Sequence, residues 1–138
     1  MIRVLKFLVQ IPPLLFAIVF GLQGIMWLIR PERAAGSWGY DLPDGGMGLS
    51  SMIGAMSGYG LVVAICLLTA LIRRERFWYY PPIMIFFFLA VGRTVAGLVH
   101  GAPLLLDRVI VEFIITALLF LASRYAAEPQ QRTVGDPN

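Results

Sequence analysis

The sequence predicts an all-α protein: a four-transmembrane-helix bundle running up-down-up-down with both termini cytoplasmic. Three observations predict it. The 138-residue chain is 59% hydrophobic and only 14% charged, where soluble domains carry about 25% charge. Its mean hydropathy is +0.79. Apolar runs of about 20 residues, the length that spans a bilayer, alternate with short connections rich in charge, glycine or proline.

The expected spans are residues 12–29, 49–72, 81–99 and 104–122, within one membrane domain of residues 1–125. A polar tail follows at residues 126–138, and its Gln, Pro, Gly and Asp content predicts disorder. Four spans leave no room for a soluble catalytic module. Lone Cys66 lies in an apolar run, which excludes an internal disulfide or a CxxC pair. The single His100 excludes a multi-histidine metal or haem site within one chain, and no cofactor is expected. The net charge of +3 comes from flanking arginines and does not point to nucleic acid.

Arg3, Lys6 and Gln10 share one face of an amphipathic start, after which Pro12-Pro13 interrupts. Proline suits a first helical turn and not an interior. The preferred reading is an interfacial helix leading to a span from Pro12; a single kinked span from Leu5 is the alternative. The basic start resembles a signal peptide, but the apolar run is long and no small-residue cleavage site follows it closely. Gln23 and Trp27 share a face near the far end, and Arg30-Pro31-Glu32-Arg33 closes the span.

Residues 34–48 are expected as a loop, with Trp38 and Tyr40 as interface anchors. Asp41 and Asp44 lie in a solvated turn that lacks the remaining ligand positions of a calcium loop. The second span begins with small residues, and Gly54-xxx-Gly58 lets another helix backbone come close. Packing against the first or third helix is the preferred reading, over a homo-oligomer seam. Arg73, Arg74 and Arg76, then Phe77, Trp78, Tyr79 and Tyr80, form a basic loop and an aromatic belt. Pro81-Pro82 opens the third span, which narrows toward Gly97, and Ser123-Arg124-Tyr125 ends the fourth.

Basic residues set the topology. Arg3, Lys6, Arg73, Arg74, Arg76, Arg124 and Arg132 fall on one side, against Arg30, Arg33 and Arg108 on the other. The richer side is cytoplasmic. The outer ends of the helices then hold the unusual polar residues. Arg93 and Glu112 lie well inside their spans, where a charge costs at least about 2.5–3.5 kcal/mol. Six residues from Val99 and eight from Leu104 place them about 9 and 12 Å deep, on helices joined by a tight turn. An Arg93–Glu112 ion pair follows. Arg93, Gly97 and His100 share one face, and Arg108, Glu112 and Thr116 another. Asp107 is a second candidate partner for Arg93, or a favourable charge at a helix N-terminus. Gln23, Ser57 and Tyr59 reach the same level. Together they predict an outward-facing polar pocket, with Gly54, Gly58 and Gly97 as packing positions; the alternative is a pair that only locks the hairpin. No metal site is expected.

Gly92-Arg93, the turn His100-Gly101-Ala102-Pro103 and Glu112, together with Arg30-Pro31-Glu32, resemble the DUF4345 family over about residues 5–124. These are small bacterial membrane proteins of uncharacterised function. The chain departs from the family pattern at His100, where an Asp is common, and at Ser50-Ser51, where an Arg is. The resemblance implies a four-helix fold and a multi-pass location in the bacterial inner membrane, and no activity.

The residues point first to a binding or accessory protein that holds a small molecule or lipid headgroup, or docks onto a larger membrane complex. A small proton-coupled transporter using Glu112 is the alternative. An intramembrane isomerase with Glu112 and His100 as acid and base comes third, since no nucleophile–base pair supports it.

Overall fold

A computed structural model describes residues 2–125, with side chains from Leu8 onward. The tail at residues 126–138 and the side chains of Arg3 and Lys6 lie outside the described residues. The described residues form five α-helices and no strand: α1 (Ile2–Ile29), α2 (Pro31–Trp38), α3 (Gly46–Arg73), α4 (Tyr80–Val99) and α5 (Leu106–Tyr125), with a 3₁₀ turn at Arg76–Tyr79. Three segments are long and apolar enough to cross a membrane: Leu8–Ile29, Gly46–Arg73 and Arg76–Val99, with mean hydropathies of 1.9, 2.2 and 2.0. Helix α5 is as long as α4 at 20 residues. It differs in carrying Asp107, Arg108, Glu112 and Arg124.

Each long helix buries one narrow stripe at three- and four-residue spacing and turns its remaining apolar residues outward. The stripes are Pro13, Ala17, Phe20, Gly24 and Trp27 on α1, Gly60, Val63, Leu67 and Ala70 on α3, Pro82, Phe86 and Ala90 on α4, and Val109, Glu112, Ile115, Leu119 and Ala122 on α5. This is the seam pattern of long helices packed side by side. Leu22, Ile29, Ile72 and Leu98 stand among the many apolar side chains left exposed. An apolar surface of that extent fits a lipid surround and not water.

Helix α1 lies along α3, and α4 along α5. The α1–α3 contact depends on absent side chains. A Cβ at Gly60 would stand 2.6 Å from the Phe20 carbonyl oxygen and 2.9 Å from Gly24 Cα, and one at Gly24 would stand 2.9 Å from Leu61 N. The close approach expected at Gly54 and Gly58 is therefore made at Gly24 and Gly60. Gly54 and Gly58 are exposed, and a Cβ at either would meet nothing within 4 Å. Gly60 lies on a different face of α3 from Gly54 and Gly58, and the complement supplied by Gly24 on α1 decides which face is used.

Further differences from the expected elements concern the ends. Helix α1 passes through Pro12-Pro13 without a break, in place of an interfacial segment ending there. A long apolar helix tolerates the carbonyls freed by proline when its neighbours pack around them, and Pro13 is buried in the core. The first connection is not all loop, because Pro31 starts α2 at its first turn and Gly39 ends it in the left-handed region at φ 69°. Tyr79, expected in an aromatic belt, is 1% exposed in the core, while Phe77 beside it points outward. The 3₁₀ turn splits consecutive aromatics between the two sides. The α4–α5 connection runs to Leu105, so α5 starts at Leu106, two residues beyond the expected start of the fourth helix.

Candidate functional site

At the end of the bundle where α1 finishes and α3 begins, a cavity of about 200 Å³ opens among all five helices. Its wall combines the aromatic Phe20, Trp27, Trp38, Tyr40 and Tyr59 with aliphatic side chains such as Met56 and Leu89, and its charged groups are Arg93 and Glu112. Phe20 is the hub of this wall. Its ring centroid lies 5.0 Å from Phe86, 5.6 Å from Tyr59 and 6.2 Å from Trp38. The first two pairs are edge-to-face and the third is tilted, and edge-to-face contacts hold rings in place beyond what area burial alone gives.

Helix α2 and the chain after it form the cover. Ala34 and Ala35 are small enough to lie flat on buried Trp27. Gln23 Nε2 donates to the Ala34 carbonyl and to Ser37 Oγ, both at 3.3 Å. Gly39, in the left-handed region, then turns the chain so that Tyr40 meets Arg93, whose Nη2 donates to the phenol oxygen at 2.8 Å. Arg108 fastens the same cover from outside. Its Nη2 donates to the Trp38 carbonyl at 3.3 Å, and its guanidinium carbon lies 5.6 Å from the centroid of the Trp38 ring.

The ion pair occupies the buried stripes themselves. Arg93 continues the α4 series Pro82, Phe86, Ala90, and Glu112 lies within the α5 series. Arg93 Nε donates to Glu112 Oε1 at 2.8 Å; the Arg93 side chain is 23% exposed and that of Glu112 10%. The second carboxylate oxygen, Glu112 Oε2, is buried and has no hydrogen-bond partner among the described residues. An orphaned buried acceptor loses its hydration without compensation, at about 1–3 kcal/mol, and more when charged. It is the chemically unfinished feature of the site.

The expected site residues separate into two groups. Arg93, Glu112, Gln23 and Tyr59 all line the cavity. Ser57 does not; it is buried and donates to the Gly54 carbonyl of its own helix at 3.3 Å. Asp107 points away, with 74% of its side chain exposed and Arg108 at 3.5 Å, so it is not a partner of Arg93. His100 is exposed at the end of α4, outside the cavity. Asp107 lies five residues from Glu112, about 140° around the helix, and His100, though close in phase to Arg93, is the cap residue beyond the last turn of α4. Gly97, one turn after Arg93, takes the connection against it: a Cβ there would stand 2.6 Å from Leu104 Cδ1. Among the described residues no group of three or more metal-ligating side chains converges. Tyr40 and Trp38, expected at the membrane interface, are cavity residues. Their signal in the sequence was Gly39 after Pro31-Glu32, which marks a short capped helix folding back.

This is an all-helical chain with three helices apolar enough to cross a membrane and an aromatic cavity with an ion pair at one end. No family model, curated protein or solved structure matches it.

Proposed function

We propose that the chain is a four-span membrane protein whose cavity binds a small molecule or a lipid headgroup. Helix α5 is its fourth span, both termini are cytoplasmic, and the cavity opens outward. The basic residues on the loop after α3 and after α5 support that orientation, and the spaced run from Gly92-Arg93 to Glu112 supports membership of the DUF4345 family and a bacterial inner-membrane location. The pairing of Arg93 with Glu112 lets α5 cross with its charges neutralised in place.

The observation that carries the reading is a cavity-lining carboxylate, Glu112, whose buried Oε2 has no hydrogen-bond partner among the described residues, in a wall that also carries five aromatic side chains. A pair built only to lock the α4–α5 hairpin needs neither the cavity nor the strap of α2 across it. Native mass spectrometry of gently extracted protein tests this. Wild type retains a bound lipid or small molecule, and the double variant Arg93→Gln/Glu112→Gln releases it. Bare protein in both cases, with unchanged thermal stability, refutes the reading in favour of a hairpin lock. Glu112 is the acidic residue among the cavity's lining groups, which also favours a second reading as a proton-coupled transporter. Loss of proton-coupled flux in Glu112→Gln, measured in vesicles, distinguishes it.

A further inference from the structure

We infer that the ligand of this cavity is an amine: a small molecule with an apolar, preferably aromatic, body and one protonated amino group. The inference rests on the binding reading above and assigns its chemistry.

The orphan oxygen defines the polar contact. Glu112 Oε1 already accepts from Arg93 at 2.8 Å, so that oxygen is committed. Oε2 is buried without a partner, and a carboxylate oxygen can only accept. Glu112 lines the cavity, and a ligand that reaches Oε2 there presents an N–H or O–H donor. A charged donor makes the stronger bond to a carboxylate, about twice a neutral one.

The walls favour a cation of the same kind. Phe20, Trp38, Tyr40 and Tyr59 present ring faces or edges to one volume, and ring faces attract cations most when water is excluded. Arg93 does not reverse this preference. Its Nε and Nη2 are occupied by Glu112 Oε1 and the Tyr40 phenol, and the ion pair with Glu112 balances its charge, while its Nη1 is the group that an acid would use. A carboxylate shared between a guanidinium and an ammonium uses both of its oxygens. The volume of about 200 Å³ lies below the roughly 300 Å³ at which drug-sized pockets begin, which sets the size at a single ring with a short arm.

Three probes of matched shape test the class: phenethylamine, phenethyl alcohol and phenylacetate, titrated into full-length protein in nanodiscs. Saturable change in tryptophan emission reads binding, since Trp27 and Trp38 line the cavity. The amine binds tightest, about tenfold or more ahead of the alcohol, as a charge-assisted bond to a buried acceptor requires, and phenylacetate binds weakest. In Glu112→Gln the amine loses that advantage and the ranking flattens. Tightest binding by phenylacetate, or undiminished amine binding in Glu112→Gln, overturns the amine assignment and leaves the binding reading standing. Silence from all three probes in a protein that retains a native ligand by mass also overturns it. Silence together with a bare native mass removes both. If Glu112→Gln does not fold, the wild-type ranking of amine against phenylacetate decides alone.

Discussion

Removing one member of the Arg93–Glu112 pair has an asymmetric cost. Arg93→Met strips the donor from a carboxylate whose side chain is 10% exposed and whose second oxygen has no partner among the described residues. An uncompensated buried charge costs about 3–5 kcal/mol. Glu112→Gln is milder. It keeps the volume, leaves an amide oxygen for Arg93 Nε, and leaves the Tyr40 contact at 2.8 Å intact; Arg93, at 23% exposure, also retains some solvent. Loss of the charge from one hydrogen bond then costs about 1–2 kcal/mol. Replacing both by apolar residues, Arg93→Met/Glu112→Leu, removes the unpaired groups together and returns stability to within about 1 kcal/mol of wild type. The assay is reversible denaturant unfolding in mixed micelles of one fixed composition, analysed as a double-mutant cycle. Equal costs for the two single variants, or a double variant whose cost is their sum, would refute the reasoning.

Other outcomes follow from the packing. Gly60→Ala destabilises by about 1–3 kcal/mol because its Cβ meets backbone atoms, whereas Gly58→Ala is neutral or stabilises by up to about 1 kcal/mol through helix propensity; thermal melts of the two variants side by side check this. Phe86→Ala, at a position 1% exposed that contacts both Phe20 and Tyr59, costs about 3–5 kcal/mol and lowers the melting temperature accordingly. Arg108→Ala loosens the cover through loss of its Trp38 contacts, about 0.5–2 kcal/mol. Faster proteolysis between Trp38 and Gly46 than in wild type reports that loosening, and an unchanged cleavage rate contradicts it.

The long helices and the ion pair could be read from the sequence because each has a local cause. Twenty apolar residues bounded by charges or prolines fix a helix, and two charges brought level by a short turn must meet or carry the whole burial cost alone. The choice among glycine faces was not legible. Gly54 and Gly58 carry the familiar spacing, yet Gly60 is used because Gly24 on α1 faces it, a complementarity that exists only between helices. His100 keeps the phase of Arg93 but falls just past the end of α4, and Asp107 takes the alternative position, in the first turn of α5 about 140° around from Glu112; exact helix ends are what spacing alone does not resolve. Helix α2 was missed because eight residues with two small alanines carry little periodic signal. Its consequence was the larger one, since α2 brings Trp38 and Tyr40, 53 positions before Arg93 in the second case, to the cavity.

The central claim is that the space beside the ion pair, and not the pair alone, is what the protein uses. Ala55 is exposed and lines the cavity, so Ala55→Trp fills its mouth while leaving Arg93 and Glu112 paired. The native mass spectrum of Ala55→Trp beside wild type tests the claim most directly. A bound mass present in wild type and absent from a stably folded Ala55→Trp is the predicted result. The same bound mass in both proteins, or none in either, would contradict it.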